Sequence, residues 1–191
     1  PVWGRPGGRS MMGLVFGGGQ WRRFGVGTEA YALPGHPANV VSAVKRLLPL
    51  CEQVIVVANP ANQRQIQVLV GDRATVILDP EPFLGEGPVA GILAACQSGA
   101  KELLLSPCDY PNLTTQSMRV LAGQPMRYLQ VAGKNHYTLA HFQTDQETVQ
   151  AWLSGGQRRL QDFLKGALHC QPLVINADPK EFTNYNQRSS V

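Results

Sequence analysis

Three consecutive glycines, Gly17-Gly18-Gly19, followed by Arg22-Arg23 and Gly25, form the first segment of the chain suited to ligand chemistry. Glycine lets backbone amides approach phosphate oxygens closely, and an arginine a few residues on supplies charge-assisted, bidentate bonds to a polyphosphate. Arg23 is the expected cation, with Arg22 as its alternative; a flexible turn carrying two solvated arginines would use the same residue types. No GKS or GKT follows and the GxGxxG pattern is missing, so this is neither a Walker loop nor a dinucleotide fingerprint.

A second group of candidates sits where apolar runs end. Asp109 lies in Pro107-Cys108-Asp109-Tyr110-Pro111, just after Leu103 to Leu105, and Asp79 and Asn176 end two other runs. A hard cation such as Mg2+ takes one or two carboxylates, keeps waters and bridges substrate phosphates, which suits an acid at a strand's carboxyl end. Each of these residues alone is equally a turn-capping residue. Several of them facing one glycine-rich loop describe a nucleotide site. His136 and His141 are five apart on one strand candidate, so strict alternation puts them on opposite faces and argues against a shared metal.

These positions need a scaffold, and the pattern supplies one. Short β-rich runs alternate with stretches of helical period from Met12 onward, the signature of a parallel sheet covered by crossover helices. Strands are expected at Gly13 to Phe16, Val54 to Val57, Thr75 to Leu78, Leu103 to Leu105, Arg127 to Val131, Tyr137 to Phe142 and Leu173 to Ile175. Helices are expected with Val40, Val44, Leu47 and Leu48 on one face, over Ala61 to Val70, from Pro88 onward, after a Thr114 or Thr115 cap, and on both sides of Gly155-Gly156. Pro1 to Ser10 holds three Gly, two Pro and two Arg without an apolar core, which reads as a disordered lead-in over residues 1–11 before a single domain over 12–191.

The 191 residues are 43% hydrophobic, enough for one sizeable core and too apolar for disorder over most of the chain. No apolar run approaches the roughly 20 residues of a membrane span. The balance of 17 Lys and Arg against 13 Asp and Glu is scattered, which argues against a nucleic-acid tail and suits small anionic ligands. Cys51, Cys96, Cys108 and Cys170 show neither CxxC nor zinc spacing, so reduced thiols in a cytoplasm are expected.

Taken in order, these segments resemble the nucleotidyltransferases with a Rossmann-like sheet, and among them the molybdenum cofactor guanylyltransferase family. That family opens with a strand and LAGGxxxRMGxDK, which reads FGGGQWRRFGVGTE here over Phe16 to Glu29. Gly35-His36-Pro37 stands for its GKP. VVAN ending at Asn59, Asp79, GPVAGIL from Gly87 to Leu93, PCDYP from Pro107, GGQRR from Gly155 and INADPKEF from Ile175 follow in register. The resemblance implies an α/β three-layer sandwich of the nucleotide-diphospho-sugar transferase type. It also implies transfer of GMP from GTP to molybdopterin with release of pyrophosphate, Mg2+ as the metal, and molybdoenzyme maturation proteins as partners for the product.

Carried over position by position, the resemblance makes Arg23 and Asp109 catalytic, with Asp109 the metal ligand. Phe16, Gly17, Gly18, Gly19, Arg23, Thr28, Asn59, Asp79, Gly87 and Gly91 would bind nucleotide, and Arg158, Arg159, Asn176 and Asp178 would edge the acceptor pocket. One departure stands out: the family's Asp-Lys is Gly27-Thr28 here. Removing one oriented donor from a developing charge lowers rates on the order of 10²–10³, so weakened turnover is an open alternative, with Arg22, Lys134 and Arg159 the candidate substitutes for that cation. The alternatives are a nucleotidyltransferase that uses CTP or a sugar or polyol phosphate, and a nucleotide-binding homologue with weakened turnover.

Overall fold

The computed structural model describes residues 10–17 and 39–183. Seven strands form one sheet in the order β3-β2-β1-β4-β6-β5-β7. They are β1 (Met11–Phe16), β2 (Gln53–Ala58), β3 (Thr75–Leu78), β4 (Glu102–Pro107), β5 (Arg127–Val131), β6 (Lys134–Gln143) and β7 (Gln171–Val174). The pairs β1·β2, β2·β3, β1·β4 and β5·β7 are parallel, while β6 runs against both β4 and β5. The expected runs at Thr75 to Leu78 and Arg127 to Val131 match their strands end to end, and β1 starts at Met11, one residue inside the expected lead-in.

Two helical layers cover the sheet. Val40, Val44 and Leu47 of α1 (Asn39–Leu47), Ile66 and Val70 of α2 (Gln63–Val70), and Met118 and Leu121 of α4 (Thr115–Ala122) pack together on one face. On the other face α3 (Pro88–Gln97), α5 (Gln146–Ser154) and α6 (Leu160–Asp162), which runs on as a wider turn over Phe163–Ala167, pack with Val89, Ile92, Val149, Leu160 and Phe163. α3 is buried from Val89 to Cys96, as a crossover helix sandwiched between sheet and α5 must be. Thr114, not Thr115, caps α4, its hydroxyl accepting the Ser117 N–H at 3.2 Å.

The expected opposition of the two histidines does not hold. Tyr128 pairs with Ala140 but Leu129 pairs with His136, so β6 carries an extra stretch at 137–139 that breaks the alternation. Both rings therefore face the α4 layer, His136 against Tyr110 and Phe182 and His141 against the Leu121 carbonyl. His141, 2% exposed, bonds Leu121 O at 3.1 Å and Glu102 at 2.8 Å. The ring thus bridges a main-chain carbonyl of the α4 end and a side chain of β4. His141→Ala is expected to lower unfolding free energy by about 2–4 kcal/mol in a urea titration, because it leaves a carboxylate and a carbonyl without their partner; a loss near zero would show that water replaces the ring.

Candidate functional site

The chain steps outward from β1 to β2 and β3, and α3 then carries it back under the sheet to β4 on the other side of β1. The connections at the carboxyl ends of β1 and β4 therefore leave in opposite directions, which opens a crevice at that edge. A cleft of about 710 Å3 lies along the same edge, on the α3 side. Phe16 and Val57 of β1 and β2 form its floor, Asp79, Glu86, Gly87 and Pro88 one wall, and Arg158, Arg159 and Leu160 the other.

The first wall is built from a short loop. Asp79 accepts the Gly85 N–H at 3.0 Å, folding the segment back on itself. Burial raises the Asp79 carboxyl above its ordinary range, against the lowering effect of that hydrogen bond. Gly87, at φ 98°, makes the turn into α3 that residues with a Cβ adopt only under strain, and Pro88 opens the helix at its first position. The positive end of the α3 dipole thus lies at the cleft.

The two arginines of the second wall do different things. Arg158 bonds Glu86, donates to the carbonyls of Leu153 at 2.7 Å and Gln157 at 2.9 Å, and lies 5.3 Å from the centre of the Phe83 ring. It ties one wall to the other. Arg159 is 73% exposed, with Asp162 at 4.0 Å and Gln161 at 3.4 Å as distant partners, so its charge faces the cleft.

Asp109 stands half-buried at the end of β4. Behind it Arg46, from the last turn of α1, is 6% exposed and donates from Nη2 to the Pro107 carbonyl at 3.1 Å. Burial pulls the Arg46 guanidinium down to about 10, while the nearby Cys108 and Asp109 favour its charged form. Tyr110 is anchored by its hydroxyl to His136 Nδ1 at 3.0 Å, with the Phe182 ring tilted against the same imidazole at 5.2 Å. Burial, then the Asp109 charge, pushes the Tyr110 phenol up to about 12, and burial and then Lys134 lower His136, so both stay neutral near pH 7.

A MobA-like NTP transferase domain matches residues 13–169. The chain belongs to that family. It is 30% identical to a probable molybdenum cofactor guanylyltransferase of Mycobacterium marinum, covering 93% of this chain and 89% of the relative. It is also 30% identical to the molybdenum cofactor guanylyltransferase of Rhodobacter capsulatus, over 91% and 89%. Among solved structures, a nucleotidyl transferase from Methanothermobacter superposes with a TM-score of 0.72 at 16% identity, covering 94% and 93% of the two chains. A 4-diphosphocytidyl-2C-methyl-D-erythritol synthase gives 0.63 at 12% identity, with 94% of each covered. The protein is a MobA-like nucleotidyltransferase with the nucleotide-diphospho-sugar transferase fold.

Of the positions singled out in this MobA-like sequence, the structure brings Phe16, Asp79, Gly87, Arg158 and Arg159 to one cleft. Gly18, Gly19, Arg22, Arg23 and Thr28 lie outside the described residues. Gly17 accepts from Asn62 Nδ2 at 2.7 Å and donates to Val57 O at 2.7 Å, which fixes the exit of β1. Asn59 turns its side-chain oxygen to the N–H groups of Ala61 and Asn62, both at 2.9 Å, so it shapes the turn after β2. Gly91 serves close packing, since a Cβ there would lie 3.2 Å from both Phe16 and Val57.

The expected acceptor set divides. Arg158 and Arg159 line the cleft on the α3 face, whereas Asp178 caps the turn Pro179–Phe182, and Ile175, Ala177 and Phe182 pack into the α1, α2 and α4 face. Among the described residues no group of three or more His, Cys, Asp or Glu gathers as a metal site. One strand-end carboxylate such as Asp109 is compatible with Mg2+, which takes most of its oxygens from water and phosphate.

Arg46, Glu86, Asn62 and the Tyr110-His136-Phe182 stack were not legible as site residues. Only the Asn59–Asn62 spacing carried a turn signal.

Two outcomes are expected here. Gly91→Val is expected to lose about 1–3 kcal/mol by denaturant unfolding, because α3 must move off Phe16; unchanged stability would mean the helix has slack. Because burial raises the folded-state pKa of Asp79, its ionisation opposes folding as pH rises through that value. Asp79→Asn is therefore expected to be more stable than the parent at pH 7, with the difference shrinking as pH falls into the ordinary range of an aspartate carboxyl; thermal unfolding across that range checks it, and a gain that persists at the lowest pH would contradict it.

Proposed function

We propose that this MobA-like transferase joins GMP from GTP to molybdopterin and releases pyrophosphate, with Asp109 as the protein ligand to Mg2+. The main support is the similarity at 30% identity, over about nine-tenths of the chain, to proteins named molybdenum cofactor guanylyltransferase. In this reading the terminal phosphate oxygen of molybdopterin attacks the α-phosphorus of GTP in line. A phosphomonoester is already largely anionic near pH 7, so no protein base is required, and the protein's task is to align two anions and offset their repulsion. The α3 dipole and Arg159 act on charge in the cleft, and Arg158 keeps the walls in place. Gly18, Gly19, Arg23 and Thr28 form the rest of the triphosphate cradle, and Asn176 and Asp178 edge the molybdopterin side. Mg2+, when bound, supplies further neutralisation of the phosphates. The product would pass to molybdoenzyme maturation proteins.

The deciding assay follows pyrophosphate from GTP, CTP and ATP with molybdopterin and Mg2+. GTP is expected to be preferred by more than about tenfold, because a site built for one base leaves buried polar groups unpaired with another. Asp109→Asn is expected to keep the fold and lose about 10²–10³ in turnover. Equal use of the three nucleotides, or a preference for CTP, moves the protein to another branch of the superfamily, and full activity of the Asn variant removes Asp109 from the metal.

A further inference from the structure

Arg46 is placed unusually for an arginine. It belongs to a face of α1 otherwise buried through Val40, Val41, Ala43, Val44 and Leu47, and it is itself 6% exposed. Side chains of a helix lean toward its N-terminus, so a residue in the last turn of α1 reaches up the sheet toward the carboxyl ends of the strands. There Nη2 meets the Pro107 carbonyl at 3.1 Å, while Nε is buried with no hydrogen-bond partner among the described residues. The cation interacts electrostatically with Cys108 and Asp109.

Burying a guanidinium with one nitrogen unmatched costs solvation that the bond to the Pro107 carbonyl offsets only in part. The contacts of Arg46 converge on the β4 exit. Pro107 is the last residue of β4, held against Phe16 of β1 by the sheet register, and Asp109 lies two residues on. The far side of the same loop is held independently by Tyr110 on His136.

We propose that Arg46 is a positioning residue for the transfer reaction, fixing Asp109 through the Pro107 carbonyl two residues before it and placing a buried positive charge beside the same loop. The proposal rests on the reading of Asp109 as the Mg2+ ligand and adds to it a residue from a different element. Arg46 touches no reacting atom in this scheme. Its removal shifts the carboxylate and changes the charge around it, so metal handling changes while the fold survives.

The test uses the full chain with Arg46→Met, Arg46→Lys, Asp109→Asn and the Met/Asn double variant. Thermal unfolding, Mn2+ binding in the presence of GTP and pyrophosphate release against Mg2+ concentration are measured for each. Arg46→Met, which leaves the buried Pro107 carbonyl without its donor, is expected to stay folded with a lower unfolding temperature, to lose about tenfold or more in turnover and to shift the Mn2+ affinity, a small displacement of a reacting group being enough for such a loss. Arg46→Lys keeps the charge without the planar fork and is expected to fall between.

Parent-like turnover and Mn2+ affinity in Arg46→Met overturn the proposal. So does a double variant clearly less active than Asp109→Asn, because Arg46 would then act elsewhere. If Arg46→Met does not fold, parent-like values in Arg46→Lys overturn it and a loss in either quantity supports it. An inactive Asp109→Asn beside a normal Arg46→Met removes only the positioning role. A fully active Asp109→Asn removes the metal reading, and the role of Arg46 with it.

Discussion

The contact of α3 with the sheet at Gly91 is the constraint on which the site depends. To leave β3 and reach β4, the chain must pass under β2 and β1, and the helix that does so lies against Phe16 and Val57. A Cβ at Gly91 would lie 3.2 Å from both, so any larger residue there makes the two side chains give way. Phe16 and Val57 are also the floor of the cleft, so the packing that permits the crossover sets the depth of the pocket above it. The same crossover brings the Gly87 turn and the N-terminus of α3 to the cleft wall.

Around that frame, charge is neutralised locally where it serves structure and left exposed where a ligand can reach it. Arg158 is matched by Glu86 and two carbonyls, while its neighbour Arg159 remains in solvent. Glu102 is matched by His141 at the amino edge of the sheet, far along β4 from Asp109. Surface pairs such as Arg158 with Glu86 contribute little to global stability. Their effect is on loop position.

Much of the fold was legible because hydrophobic period and punctuation agree. Thr75 to Leu78 is bounded by polar turns, Pro88 opens a helix, and Thr114 caps one, all local signals. β6 was read short because Asn135 and His136 look like turn residues, although their backbone pairs with β5. The facing of the histidines failed because a bulge is a property of two strands together and leaves no mark in one of them. For the site, position alone made the strand-end residues Asp79 and Asp109 candidates, and the structure brings Asp79 together with the helix-opening Gly87 at the cleft. For Gly91 and Asn59 the structure adds a packing contact and a turn that their motifs did not announce, and Arg46 gave no signal, since a basic residue in a last helical turn is ordinarily a solvated complement to the dipole.

The register of β1 bears on how the chain is made. Its residue Met12 pairs with Gln53 on one side and with Leu103 on the other, so one edge of this inner strand finds its partner early and the other waits for most of a crossover unit to follow. During synthesis β1, β2 and β3 emerge first and leave an apolar strand edge open until β4 arrives, the kind of edge that invites pairing with another nascent chain. The β5–β6 hairpin closes within a few residues of its own turn and is free of that delay. A polysome crowded with this message therefore carries its aggregation hazard on the amino-terminal half, and a chaperone that shields one strand edge for the time needed to translate from β3 to β4 covers it.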